Sequence, residues 1–160
     1  MPLPTFTTLG DGPLVLMLHG SGGGFRFFAP QVETLARLGW RAVAWDMPGY
    51  GYSPPIEPYG FKGLAERCSL LIEALQPRGG SVTLVGQGMG GMVAQEVAAR
   101  RPDQVHALVL TATTAAVLED DAYARHIADC LGWLAAGHDM DQIADLRLPR
   151  LLGPAASQDR

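Results

Sequence analysis

Charge is scarce in this sequence, and what there is does not gather. Charged residues make up 18% of 160 positions and the formal net charge is −4, with no basic cluster. An acidic balance of that kind argues against nucleic acid and against an anionic membrane surface as partner. No apolar run approaches the roughly 18 residues needed to cross a bilayer. The opening Met1-Pro2-Leu3-Pro4-Thr5 lacks a basic segment followed by a long apolar one, so no secretory signal is expected. Cysteine is nearly absent as well. Cys68 and Cys130 stand far apart, in no metal-ligand or redox spacing, and both fall at apolar-periodic positions. They read as buried free thiols, which fits a cytoplasmic protein. No Cys/His/Asp cluster has metal spacing, so neither a metal nor a cofactor is expected.

What the chain does have is 48% hydrophobic residues, 20 glycines and 12 prolines. That is the composition of a globular protein with many turns, and the length suits a single domain over 1–160. Short apolar runs alternate with amphipathic stretches. Strands are expected at 14–18, 41–45, 81–85 and 105–110, with helices over 28–38, 61–75 and 89–101. Strand–helix alternation implies a mostly parallel sheet with right-handed crossovers and helices on both faces. The alternation is clean to about Thr114. Beyond it, 122–136 can form a helix, 143–152 could supply one more strand broken by Pro149, and 153–160 reads as a frayed tail.

Two glycine-rich turns follow strands, at the carboxyl edge where open α/β sheets bind ligands. The first is His19-Gly20-Ser21-Gly22-Gly23-Gly24, which lacks the Gly-Lys-Ser/Thr ending of a phosphate loop. Its backbone N–H groups can face a developing oxyanion if no side chain blocks the approach. The second, Val85-Gly86-Gln87-Gly88-Met89-Gly90-Gly91, has the frame of a nucleophile elbow, G-x-S-x-G, with glycine where the serine belongs. Gly86, Gly88 and Gly91 also match the dinucleotide fingerprint G-x-G-x-x-G, which needs an acid about 20 residues on to bind ribose. That position falls on Thr111, which offers no carboxylate.

Taken in order, "LVLMLHGSGGG", "AVAWDMPGYGYS" and "VTLVGQGMGGMVAQEVAARRPDQVHALVLTATT" resemble the amino-terminal half of an α/β-hydrolase. The similarity is greatest to small esterases, enol-lactonases and carbon–carbon bond hydrolases. It implies a partial α/β-hydrolase fold: a core over 1–116, a short cap remnant at about 117–140, and a possible last strand and tail over 141–160. It further implies that the Ser21 and Met89 amides form an oxyanion hole, that Gly88 is a vacated nucleophile position, and that Asp46 anchors the turn after its strand. His19, Gly20, Gly22, Phe25 and Gln87 are the ligand-facing candidates around them. Phe27, Phe28, Trp45, Tyr50 and Tyr52 gather in the same two loops, either as packing or as the lining of an apolar pocket.

The family's triad acid and histidine have no evident counterpart. Asp159 lies near the expected acid but is displaced by one residue in the tail, His106 opens a strand at the wrong edge of the sheet, and His126 and His138 fall in the cap region. Two functional readings follow. One is a hydrolase of ester, lactone or carbon–carbon bonds next to a carbonyl, inactive or very weak as the chain stands. The other is a non-catalytic module of the same fold that binds a small ligand or a protein. A third, a truncated product without selected function, stays open on sequence alone. The apolar strand 105–110 is made for pairing on both sides, so a homo-oligomer or a partner chain covering that edge is expected.

Overall fold

The computed structural model describes residues 2–115 and 121–151. These fall into two compact units divided at Ala115/Ala116. In the first unit, β1 (Phe6–Leu9), β2 (Leu14–Leu18), β3 (Arg41–Trp45), β4 (Val82–Gln87) and β5 (Val105–Thr111) form one sheet in the order β1-β3-β2-β4-β5. Pairs β2–β3, β2–β4 and β4–β5 are parallel, while β1 runs antiparallel to β3 with Phe6 opposite Trp45. The crossovers are α1 (Ala29–Arg37), α2 (Phe61–Leu75) and α3 (Met89–Arg100).

Central strand β2 is buried at all five positions. The period of two in a strand divides its side chains between the faces. Leu14, Leu16 and Leu18 join Val43, Trp45 and Leu84 against Leu64, Cys68, Leu71 and Ile72 of α2 and Val93 and Val97 of α3. Val15 and Met17 join Ala42 and Ala44 against Phe28 and Val32 on the other side. Both faces of an apolar strand are thereby covered, as an all-parallel centre requires. Cys68 is fully buried, and that burial pushes its thiol well above the ordinary range. Cys130 is only half-buried, so the expectation of two buried thiols holds for one of them.

Helix α1 is preceded by a 3-10 turn at Phe25–Phe28, has a proline in its first turn, and stops where Gly39 takes φ +85°. Helix α3 is held against the sheet by missing side chains. A Cβ on Gly90 would strike the Leu18 carbonyl, and one on Gly86 would lie 2.5 Å from the Gly91 Cα.

Two features differ from the sequence reading. Strand β1 was not expected, since Phe6–Leu9 is a short edge strand with no buried residue to mark it. The segment read as a last strand is instead helix α5 (Met140–Leu151), which follows α4 (Asp121–Ala135) in the second unit. The α5 amino terminus is closed by a reciprocal capping box: Asp139 Oδ1 accepts the Gln142 N–H at 2.9 Å, and Gln142 Oε1 accepts the Asp139 N–H at 3.0 Å. Pro149 stands in the last turn of α5. Strand β5 pairs with β4 alone among the described strands, at the edge where the sequence reading has the sheet end, and its residues 106–111 are exposed. Asp159 and the tail from 152 lie outside the described residues, as does the side chain of His126. No helix among the described residues is long and apolar enough to cross a membrane.

Because Gly90 abuts a carbonyl of the central strand, Gly90→Ala is expected to lower unfolding free energy by about 1–3 kcal/mol. A shift of the urea midpoint at unchanged slope is the measurement that checks this.

Candidate active site

The two glycine-rich turns meet at the carboxyl edge of the sheet. Strand β4 runs into α3 through Gly88, whose φ of +55° and ψ of −121° are open to glycine and costly for other residues. Its N–H donates to the Thr111 carbonyl at 3.0 Å, and its own carbonyl accepts from Thr113 Oγ1 at 2.7 Å. The elbow is therefore clamped from the end of β5. Thr111, where a dinucleotide site would need its acid, serves that clamp through its backbone.

A side chain at Gly88 has space. The nearest atoms to a Cβ built there are the Gly20 Cα at 3.7 Å and the Ala112 carbonyl oxygen at 3.8 Å. Thus a side chain at position 88 would meet Gly20 of the first turn at ordinary van der Waals distance. Met89 is the first residue of α3, so no carbonyl within the helix can take its N–H. Ser21 and Gly22 are exposed on the loop, and a Cβ on Gly22 would have nothing within 4 Å. Phe25 is half-buried and lies under the Arg26 guanidinium at 5.9 Å.

His19 is fully buried, and both ring nitrogens are engaged. The Met47 N–H donates to Nε2 at 2.9 Å, which leaves the ring proton on Nδ1, and Nδ1 donates to the Gly20 carbonyl at 2.7 Å. The Gly23 N–H reaches the same carbonyl at 3.1 Å. His19 thus ties the first turn to the segment after β3, and the Tyr50 ring packs edge-on against it at 5.0 Å. Burial pushes the imidazole below its ordinary value of 6.5, an effect that the Gly20 carbonyl and the Asp46 carboxylate offset only in part.

Asp46, 3% exposed, holds the far end of the loop. Its Oδ1 accepts the Phe25 N–H at 2.9 Å and its Oδ2 the Thr5 hydroxyl at 3.1 Å. Ser53 donates to the Asp46 carbonyl at 2.6 Å. Tyr50 donates its hydroxyl to the Ser21 carbonyl at 3.2 Å. A groove of about 570 Å³ beside this network is lined by Gly23, Phe25, Arg26, Gly51 and Tyr52, among others. Trp45 and Phe28 are packing residues in the core, whereas Phe27 and Tyr52 are exposed.

The structure therefore gathers Gly88, Gly20, Gln87, Ser21 and Met89 at one edge. It does not bring a described histidine to Gly88: His19 is occupied as above, and His106 is exposed near the opposite end of β5. His138 pairs with Gln142 at 3.3 Å within the second unit. Among the described residues there is no metal-ligating cluster. Sequence reasoning had no signal for Thr5, Ser53 or Thr113, polar residues whose roles arise only from tertiary contact.

The family model for the α/β-hydrolase fold matches residues 13–132. The chain belongs to the α/β-hydrolase family. Relatives of this α/β-hydrolase include the pimeloyl-(acyl-carrier protein) methyl ester esterase of Chromobacterium violaceum, 39% identical over 72% of this chain and 43% of that protein. The mouse (Mus musculus) serine hydrolase BPHL is 35% identical over 73% of this chain and 42% of its own length. Among solved structures, BpoC of Mycobacterium tuberculosis superposes with a TM-score of 0.85 at 25% identity, covering 98% of this chain and 58% of BpoC. The chain thus spans about two fifths of the curated relatives it matches.

Neutral His19 makes stability depend on pH. Below 6.5 the unfolded chain takes up a proton that the folded chain resists. Stability is therefore expected to fall as pH drops below that value and to level off beneath the lower folded value. His19→Gln should be less stable at neutrality and lose less between about pH 7.5 and about pH 5.5. Equal losses in urea titrations of the two proteins would contradict this.

Proposed function

We propose that this chain holds a small carbonyl compound between the Gly20 loop and the elbow and forms no acyl-enzyme there. The observation that carries the reading is Gly88, a nucleophile seat with its backbone geometry and its space but no hydroxyl or thiol. The Ser21 and Met89 N–H groups would receive the ligand's oxygen, as oxyanion-hole donors do at an elbow. Relatives named as a methyl ester esterase and a serine hydrolase support a carbonyl as the recognised group. In a serine hydrolase, losing the nucleophile removes about 10⁶ from kcat and leaves about 10³ over water from hole and binding. What is left is recognition without covalent turnover.

The test pairs a substrate with a stable mimic. With p-nitrophenyl butyrate the chain should show neither a burst nor an acyl adduct by intact mass. Methyl butylphosphonate, a tetrahedral anion, should shift the Ser21 and Met89 amide resonances saturably. A burst with an adduct overturns the non-covalent reading, and no shift at either amide overturns the binding reading.

Self-association through β5 is proposed as well, with a second copy of the chain as the occupant. Its support is the exposure of Leu108, Val109 and Leu110, at 37%, 49% and 41%. Apart from the irregularity at His106, β5 carries none of the lysines or prolines that blunt an edge. Antiparallel pairing about Leu108 would set Ala107 opposite Val109 and oppose no like charges. Light scattering after size exclusion should give a dimer that Leu108→Lys converts to monomer. A monomeric parent chain at high micromolar concentration would refute it.

A further inference from the structure

At the α/β-hydrolase elbow, position 88 has no side chain, but its neighbour at 87 does. Gln87, the residue before Gly88, ends β4 and reaches across to the other loop. Its Oε1 accepts the Gly20 N–H at 3.0 Å, a contact between residues 67 apart in sequence. The fit is close: a Cβ on Gly20 would lie 2.5 Å from that oxygen and 3.2 Å from the Gln87 carbonyl oxygen. The carboxamide therefore packs against the bare Cα of Gly20, and a side chain at position 20 would displace it and crowd the Gln87 carbonyl.

Gly20 is consequently held on both sides. The peptide before it is fixed through its N–H by Gln87. The peptide after it is fixed through its carbonyl by His19 Nδ1 at 2.7 Å and the Gly23 N–H at 3.1 Å. That second peptide plane also contains the Ser21 N–H. In a trans peptide the N–H points opposite to the C=O, so the Ser21 N–H is turned away from His19 and Gly23. With the His19 and Gln87 bonds both made, Gly20 has no freedom to rotate this plane, although glycine is otherwise the most permissive residue.

We infer that Gln87 is a positioning residue, whose carboxamide clamps the Gly20 N–H from the elbow strand and so aims the Ser21 N–H at the seat beside Gly88. The ligand class follows the carbonyl reading of the cleft, on which this inference rests. Gln87 acts on the ligand through the backbone of Gly20 and Ser21. Met89 is independent of it, because α3 sets the direction of the Met89 N–H.

That independence supplies the test, made on the whole chain by amide NMR. In Gln87→Leu, hydrogen exchange at Gly20 should quicken and the Ser21 resonance should lose its response to methyl butylphosphonate while Met89 keeps its own. The Kd for the phosphonate should rise about tenfold, as for one lost hydrogen bond. Gln87→Glu keeps an acceptor and should keep Gly20 protected. If the leucine variant does not fold, Gln87→Asn, one methylene short, is expected to show the same losses. Unchanged Gly20 exchange in Gln87→Leu, or Ser21 and Met89 responses lost together, overturns the inference. Should the parent chain show no phosphonate shift, the carbonyl reading falls, and Gly20 and Ser21 exchange in the variants still decides the role of Gln87.

Discussion

A carboxylate buried to 3% exposure is costly unless its oxygens are bonded, and the loops at the carboxyl edge of this sheet are arranged around meeting that demand at Asp46. One oxygen takes the Phe25 N–H, where the Gly20 loop enters its helix, and the other takes the Thr5 hydroxyl, ahead of β1. The Asp46 backbone is bound as tightly, with its N–H on the Thr5 carbonyl at 2.8 Å and its carbonyl on Ser53 at 2.6 Å. A side chain on Gly51 would collide with the same carboxylate. Removing the Phe25 N–H or the Thr5 hydroxyl would leave a buried carboxylate oxygen short of a donor, so the two segments are fixed together. His19 completes the arrangement one residue beyond the end of β2, where its Nδ1 holds the carbonyl of the Gly20–Ser21 peptide.

How much of this could be read from the sequence depended on the kind of signal. Strand β2 and helix α2 announce themselves because each buries a regular apolar pattern: five consecutive buried residues in one, Leu64, Cys68, Leu71, Ile72 and Leu75 in the other. Strand β1 has no such pattern, since its stability comes from pairing with β3. Helix α5 was misread because Leu146, Leu148 and Pro149 look like an alternating strand with a break. The correcting signal was present in Asp139 and Gln142, three apart, the spacing of a capping box. At the site, Gly88 and the glycine-rich turn from His19 to Gly24 are legible as motifs. The Gln87 clamp and the bond from Thr113 to Gly88 are not, because each joins segments that only the folded sheet brings together.

Family membership and a glycine at position 88 do not conflict in physical terms. The elbow is made by backbone contacts: the Gly90 Cα against the Leu18 carbonyl, Gly86 against Gly91, and the Gly88 N–H on Thr111. None of these involves a side chain at position 88. The fold can therefore keep the shape of a hydrolase site while its chemistry changes, which is why function has to be argued from the site and not from the fold.

Glycine ordinarily weakens a fold, since it surrenders about 0.5–1 kcal/mol more backbone entropy than alanine on ordering. At a φ of +55° and a ψ of −121° the balance inverts. Any side chain held there stores about 1–3 kcal/mol of backbone strain, and glycine stores little. Exchange of a nucleophile for glycine at this elbow is thus downhill for folding, and the return step is uphill. At this one turn the most permissive residue is also the steadiest, and the relaxed backbone at position 88 holds the strand-to-helix corner without stored strain.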